Sequence, residues 1–112
     1  MQENIVLTEA VFYTLLSLNT PLHGYGIMQK AQQLSKGRVK LAAGTLYGAI
    51  TTMLEKKWIK ALPGEAGEAP RAGSRKKEYL ITELGKQVLA QEIARLRELL
   101  ENAELILGGE TL

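Results

Sequence analysis

The chain has 112 residues, which is enough for one compact domain and too few for two ordinary ones. A hydrophobic fraction of 46% with 23% charged residues is typical of a soluble globular protein, and one Phe, one Trp and four Tyr lead us to expect no large aromatic binding site. The absence of cysteine excludes disulfides, thiolate metal sites and thiol catalysis. The formal net charge is +2, but residues 1–80 hold eleven Lys and Arg against six Glu, and residues 81–112 hold three against six. The basic part can approach a polyanion.

Two helices are predicted in the first third of the chain. Residues 5–18 carry apolar side chains on nearly every side and include no Gly or Pro, which predicts a buried helix. This run is too short to span a bilayer, and no Lys or Arg precedes it, so we expect neither a membrane span nor a signal peptide. A second helix is predicted from about residue 22 to 35, after Pro21 and before Gly37.

The stretch "GTLYGAITTMLEKKWI", residues 44–59, contains the third predicted helix. One side of that helix carries Leu46, Ile50, Met53, Leu54 and Lys57. The opposite side is small and polar, whereas a merely solvated face favours long charged side chains. Small side chains let a helix backbone approach a partner closely. This outer face contains Gly44, Thr45, Gly48, Thr51, Thr52 and Glu55.

Two short strands and one long helix are predicted in the second half. "WIKALP" and "KKEYLIT" flank "GEAGEAPRAGS", which indicates a β-hairpin with a long tip. Four cations lie at the end of that tip: Arg71, Arg75, Lys76 and Lys77. The last helix runs from Thr82, a suitable N-cap, to about Leu107.

The apolar residues of the last helix are spaced alternately by four and three, which is a heptad seam. They are Leu89, Ile93, Leu96, Leu100, Ala103 and Leu107. On a domain this small such a stripe would be exposed, so we predict that a symmetric partner covers it. The alternative is that the stripe packs back on its own domain.

Three helices, a small β-hairpin with a basic tip and one long helix form a mainly α fold. Their order is that of a winged helix-turn-helix domain, residues 1–81, followed by a C-terminal dimerisation helix and tail, residues 82–112. In that arrangement the third helix enters the major groove of DNA, and the hairpin reaches an adjacent groove or the backbone. Winged helices also serve as protein-interaction modules, and that alternative stays open.

Four sequence blocks resemble the signatures of the PadR family of bacterial transcriptional regulators, in its short subfamily with one C-terminal helix. They are "HGYGI" at 23–27, "GRVKL" at 37–41, "GTLYGAI" at 44–50 and "YLITELG" at 79–85. The resemblance implies a cytoplasmic homodimeric repressor without catalysis or cofactor. Such a repressor binds a palindromic operator in double-stranded DNA and releases it when a small hydrophobic or phenolic effector binds.

Carried over by position, the resemblance assigns the recognition role to the first turns of the third helix and the wing role to the cations of the hairpin. Three further cations precede the recognition helix, where phosphates would lie. The residues expected to contact DNA are Lys36, Arg38, Lys40, Gly44, Thr45, Tyr47, Gly48, Thr52, Arg71, Arg75, Lys76 and Lys77. Since Thr, Gly and Tyr offer no bidentate base code, we expect phosphate contact and DNA shape to outweigh direct readout.

Three aromatic side chains have two interpretations each. Tyr47 borders the apolar side of its helix, so its ring either belongs to the core or contacts DNA. His23 is the only histidine, and a structural role at the start of the second helix is favoured over metal binding. Trp58 could stack on a ligand, although a core position is favoured.

The chain departs from the family pattern at two places. Ala42 and Ala43 precede Gly44 where the family often has a helix-capping residue, which leaves the first amides free for a phosphate. Lys57 stands where the family commonly has Gly, so it needs a left-handed conformation or a different exit from the helix. An enzyme is disfavoured, because the chain has no Cys, no Asp and one His.

Overall fold

The computed structural model describes residues 5–63 and 77–108. Within these ranges the chain forms four helices and a small antiparallel sheet. The elements are α1 (Glu9–Ser17), β1 (Leu22–His23), α2 (Gly24–Leu34), α3 (Ala43–Glu55), β2 (Ile59–Ala61), β3 (Glu78–Ile81) and α4 (Glu83–Leu107). The predicted mainly α fold is confirmed, with one strand more than expected. No helix in the described ranges combines the length and apolar character needed to cross a membrane.

The first two helices begin later than predicted because side-chain caps set their starts. The Thr8 hydroxyl accepts a hydrogen bond from the Val11 N–H at 3.2 Å, so α1 begins after Thr8 and not at residue 5. Nδ1 of His23 accepts one from the Gly26 N–H at 3.0 Å, and α2 therefore begins after His23 and not at residue 22. The structural role predicted for His23 is confirmed.

The sheet has the order β1-β3-β2, with β3 in the middle. Tyr79 in β3 pairs with Leu22 of β1 on one side and with Ala61 of β2 on the other. The predicted pairing of two strands is confirmed by β2 and β3. The strand β1 was not predicted, because two residues are too few to show the alternation of apolar and polar side chains that is typical of a strand. The predicted tip, residues 64–74, lies outside the described residues.

One hydrophobic core joins α1, α2, α3, the sheet and the first turns of α4. Burial of each large apolar side chain stabilises the fold by roughly 1.5–3 kcal/mol. The core consists of Leu15, Leu18, Ile27, Ala31, Leu41, Leu46, Ile50, Met53, Trp58, Ile59, Tyr79, Ile81, Val88 and Leu89. Trp58 is only 8% exposed, with the Lys56 ammonium 5.3 Å from its ring centroid, so the core position favoured for Trp58 is confirmed.

The start of α4 is fixed against the end of α3 by hydrogen bonds. Thr82 caps α4, since its hydroxyl accepts a hydrogen bond from the Gly85 N–H at 3.0 Å. The same hydroxyl donates to the Lys57 carbonyl at 2.7 Å, and the Thr82 N–H donates to the Trp58 carbonyl at 2.9 Å. The missing side chain of Gly85 allows this close approach, because a Cβ there would lie 2.1 Å from the Trp58 carbonyl oxygen.

A buried carboxylate ties the N-terminal segment to α4. Glu92 is 2% exposed, and its Oε2 accepts a hydrogen bond from the Leu7 N–H at 3.0 Å. Nε of Arg95 lies 2.6 Å from the other oxygen. An exposed pair three residues apart on a helix would contribute little, but the burial of Glu92 and its bond to Leu7 connect segments 85 residues apart.

Lys57 adopts the left-handed conformation that the sequence suggested, with φ of +63°. Such a backbone costs a residue with a Cβ about 1–2 kcal/mol. We therefore expect Lys57→Gly to raise the free energy of unfolding. The increase should be about 0.5–1 kcal/mol, which is less than the relieved strain, because glycine also gives the unfolded chain more conformational freedom. Urea unfolding followed by circular dichroism measures this. As control, Glu55→Gly at the last residue of α3 is expected to lower stability, and an equal loss for Lys57→Gly would contradict the prediction.

Candidate nucleic-acid interface

Helix α3 has one buried and one exposed face, as predicted. Leu46, Ile50 and Met53 are almost fully buried in the core. The residues on the opposite face are exposed, and a Cβ added at Gly44 or Gly48 would meet no atom within 4 Å. The exposed face is thus smooth and open to a large partner.

The N-terminus of α3 has no side-chain cap. Ala42 occupies the N-cap position with extended backbone, and it makes no side-chain hydrogen bond to the first turn. The Leu46 N–H bonds to the Ala42 carbonyl at 2.9 Å, so the amides preceding Leu46 are those that an anion can meet. The sequence-based prediction about Ala42 is confirmed.

Two threonine hydroxyls on α3 donate their protons within the helix. Thr51 Oγ1 bonds to the Tyr47 carbonyl at 3.0 Å, and Thr52 Oγ1 bonds to the Gly48 carbonyl at 3.2 Å. A phosphate oxygen needs a donor, so in this rotamer Thr52 offers DNA a methyl group and an acceptor. This restricts the DNA contact that we predicted for Thr52 to a base edge or an apolar surface.

The cations before α3 have different surroundings. Lys36 and Lys40 are exposed, and within the described residues no ion pair involves either of them. Arg38 instead forms a bidentate pair with Glu9 of α1, with Nη1 3.0 Å from Oε1. The hydrogen bonds from Arg38 hold the pKa of Glu9 below its ordinary value, and the pair raises the pKa of Arg38. Because Glu9 offsets its charge, we expect Arg38 to attract a phosphate less strongly than the sequence suggested.

Of the four wing cations only Lys77 belongs to the described residues. Lys77 precedes β3 and lines a cleft together with Tyr47 of α3. Arg71, Arg75 and Lys76 lie outside the described residues, so their predicted role stays a prediction. The structure thus brings at least one cation of the predicted hairpin close to Tyr47 of α3.

Tyr47 combines features of its two interpretations. Its side chain is 48% exposed, which excludes a full core position. Its hydroxyl nevertheless packs against the start of α2, since a Cβ on Gly24 would lie 2.3 Å from that oxygen. Tyr47 is therefore held in place by α2 while one side of its ring stays accessible.

The residues of the predicted dimerisation stripe differ in how far they are exposed to solvent. Leu89 is 9% exposed and belongs to the core, so at this end the stripe packs back on its own domain. Ile93 packs partly against the same core, and Ala103 is half-buried. The exposed apolar residues beyond Ile93 include three that the heptad pattern omitted, Leu99, Leu105 and Ile106. Between Ile93 and residue 108 the large exposed apolar residues are Leu96, Leu99, Leu100, Leu105, Ile106 and Leu107.

The order of elements and the position of α3 define a class of protein. An exposed third helix beside a three-stranded sheet, in the order helix, strand, helix, helix, strand, strand, is a winged helix-turn-helix. In this class the helix that corresponds to α3 is the one presented to DNA.

Comparison with known proteins gives the family. The profile described as "Transcriptional regulator PadR-like family" matches residues 13–91. The chain belongs to the PadR-like family of transcriptional regulators. A curated relative, "Uncharacterized protein X" of Lysinibacillus sphaericus, is 28% identical over 94 residues, which cover 84% of this chain and 83% of the relative.

Solved structures show the same fold. A PadR family transcription regulator from hypervirulent Clostridium difficile is 24% identical with a TM-score of 0.70, covering 89% of this chain and 99% of that one. A PadR-like transcription factor from Bacteroides fragilis is 25% identical with a TM-score of 0.65, covering 87% of each chain.

Proposed function

We propose that this chain is a repressor that binds a palindromic DNA operator as a homodimer, with α3 in the major groove. The observation that carries the proposal is the exposed face of α3, which is smooth at Gly44 and Gly48 and uncapped at its N-terminus. Lys36 and Lys40 precede it, and Lys77 lies beside it. A helix N-terminus with cations nearby attracts anions, so this end of α3 suits the phosphates that border a groove of DNA.

Homodimer formation is supported by the exposed part of α4. From Leu96 onward the helix presents leucines and an isoleucine to solvent, which is a large apolar surface for a single chain. Pairing with a second copy around a two-fold axis covers this surface and gives two recognition helices. A palindromic operator has the same symmetry, with half-sites about one helical turn apart. Sedimentation equilibrium tests the dimer, for which the expected mass is twice that of one chain.

The experiment that tests DNA binding is fluorescence anisotropy with the DNA upstream of the protein's own gene and with a scrambled duplex of equal length. We expect tighter binding to the upstream DNA, and a steep loss of affinity between two salt concentrations as phosphates regain their counterions. Equal affinity for both duplexes would contradict a repressor and favour a winged helix used for protein contacts.

Thr45→Glu is expected to weaken operator binding about tenfold or more, because it places a negative charge among DNA phosphates. The same charge stabilises the first turn of α3 through the helix dipole, so a loss of binding does not arise from unfolding. Anisotropy measures the affinity, and circular dichroism checks the fold.

Gln87→Glu is the matched control, since it makes the same change of charge at an exposed position of α4, beside Trp58 and beyond the C-terminal end of α3. We expect it to weaken binding by less than about threefold, as a distant charge is screened by salt. Equal effects of the two substitutions would contradict the placement of α3 in the groove.

We also propose that the chain acts in the cytoplasm, catalyses no reaction and needs no cofactor. Membership of a family of transcriptional regulators supports these statements. Release from DNA by a small hydrophobic or phenolic effector is the remaining part of the proposal.

A further inference from the structure

The turn between α2 and α3, residues 35–42, carries an arginine that is held by a carboxylate of the same chain. Arg38 donates from both terminal nitrogens of its guanidinium to both oxygens of Glu9 at the beginning of α1, with Nη1 3.0 Å from Oε1. The phenol of Tyr13, one helical turn further along α1, interacts with the same guanidinium. An arginine binds a phosphate through the same parallel N–H groups that it uses for a carboxylate. Glu9 therefore occupies the donors that Arg38 would offer to DNA.

Both side chains of this pair lie at the protein surface. The side chain of Arg38 is 61% exposed and that of Glu9 is 59% exposed. Because water can solvate both partners, an exposed pair contributes little to stability, and breaking it leaves no buried charge behind. A phosphate can therefore take the place of the carboxylate at low cost.

The backbone of the turn is held without the pair. The Arg38 N–H donates a hydrogen bond to the Ser35 carbonyl at 3.2 Å. The Ser35 hydroxyl accepts another from the Val39 N–H at 2.8 Å. Leu41, which follows, is buried in the core. The side chain of Arg38 can thus leave Glu9 while the turn and the beginning of α3 keep their positions.

The pairing of Arg38 is an exception among the cations before α3. Lys36 and Lys40 lie two residues before and after Arg38, and both are exposed. Neither takes part in an ion pair within the part of the chain that the structure describes. A phosphate that approaches the uncapped beginning of α3 at Ala42 therefore meets two lysines without an acidic partner and one arginine with such a partner.

We propose that Glu9 competes with DNA phosphates for Arg38 and so lowers the affinity of the protein for DNA of any sequence. The proposal rests on the proposed function, because it takes DNA as the ligand. When a phosphate binds Arg38, the carboxylate of Glu9 loses its partner and attracts a cation from solution again, so the net release of counterions is small. Phosphates carry no sequence information, and the affinities for the operator and for other duplexes fall by the same factor. Glu9 sets how tightly DNA is bound and leaves the sequence preference to α3.

Glu9→Gln tests the competition, because glutamine keeps the size of the side chain and removes its charge. In fluorescence anisotropy we expect this variant to bind the upstream duplex and the scrambled duplex roughly two- to fivefold more tightly than the wild type, a factor that corresponds to the strength of an exposed ion pair. The ratio of the two affinities should not change. The logarithm of the affinity should fall more steeply with the logarithm of the salt concentration, with a slope larger by about one, since Arg38 then adds one phosphate contact.

Arg38→Gln, made alone and together with Glu9→Gln, separates the pair from a general change of net charge. Alone it should weaken binding by less than about twofold, because Glu9 already holds the arginine in the wild type. In the Glu9→Gln background it should abolish the gain in affinity and restore the salt dependence of the wild type. Glu98→Gln makes the same change of charge at an exposed position of α4 and should alter the affinity by less than about twofold.

Three results would overturn the competition. The first is an affinity that Glu9→Gln leaves unchanged. The second is a gain in affinity that Arg38→Gln does not remove, which would be an effect of net charge alone. The third is weaker binding by Glu9→Gln with an intact circular dichroism spectrum, which would show that the pair positions the turn for DNA.

The proposed function is tested by different comparisons in the same experiment. Equal affinity of the wild type for the two duplexes would contradict the repressor, whereas the effect of Glu9→Gln on either duplex would still decide the competition. A wild type that binds neither duplex would overturn both proposals.

Discussion

Gly85→Ala is expected to lower the free energy of unfolding by about 3 kcal/mol, as for severe overpacking of a core. A Cβ at this position would lie 2.1 Å from the Trp58 carbonyl oxygen and 2.7 Å from a side-chain carbon of Ile81. The carbonyl cannot rotate away, because it accepts the hydrogen bond of the Thr82 N–H. Relief therefore requires α4 to move away from the sheet, which opens the core around Val88 and Leu89.

The measurement is urea unfolding of the wild type and the variant, followed by circular dichroism. Gly48→Ala is the matched control, since Gly48 is also helical but its added Cβ would meet nothing within 4 Å. We expect Gly48→Ala to raise stability by about 0.5–1 kcal/mol, the usual preference of a helix for alanine. Unchanged stability of Gly85→Ala would contradict the packing of α4 against the end of α3.

Glu92→Gln is expected to lower the free energy of unfolding by about 2 kcal/mol, because it removes the charge from a buried, hydrogen-bonded pair. The glutamine keeps the size of the side chain and one acceptor for the Leu7 N–H. It no longer attracts Arg95, which donates to both carboxylate oxygens at 2.6 and 2.8 Å. The loss is moderate since Arg95 is 28% exposed and water can solvate it.

The same carboxylate gives the stability a dependence on pH. The hydrogen bonds from Arg95 and the Leu7 N–H hold the pKa of Glu92 below its ordinary value of 4.5 in spite of burial. The folded chain thus binds fewer protons than the unfolded chain near this pH. The stabilisation is complete above pH 4.5 and is lost as the pH falls through the lower pKa of the folded state.

Urea unfolding at several pH values between neutral and acidic conditions tests both expectations. The wild type should lose stability below pH 4.5 more steeply than Glu92→Gln, so the two curves should converge. Glu98→Gln is the control, because Glu98 is exposed on the same helix and its replacement should change neither stability nor the curve. Parallel curves for wild type and Glu92→Gln would show that the buried pair does not set the pH dependence.

Much of the fold could be predicted from the sequence, because the apolar residues of the helices recur at a clear helical spacing. The buried side of α3 and the cap at Thr82 follow from local patterns that the structure confirms. The exact first residue of α2 and the strand β1 were not accessible. Both depend on His23, which caps a helix and pairs in a sheet, and two paired residues give no periodic signal.

The candidate site was predicted less completely, because its properties depend on contacts between distant residues. The sequence indicates that Arg38 is basic but not that Glu9 of α1 binds it. It indicates that Glu92 is acidic but not that α1 and α4 bury it. The cleft that Tyr47 and Lys77 line needs α2, α3 and β3 to meet, so neither composition nor spacing along the chain could show it.

The position of β3 between two other strands has a consequence for how the wing can vary. In an isolated hairpin the length of the connecting segment sets the alignment of the strands. Here β1 holds β3 by the pairs Leu22 with Tyr79 and His23 with Glu78, independently of β2. Insertions or deletions between residues 63 and 77 therefore need not shift the strands out of alignment. We therefore expect that a transcriptional regulator with this sheet can exchange the segment between β2 and β3 for one of different length and charge, while its core stays unchanged.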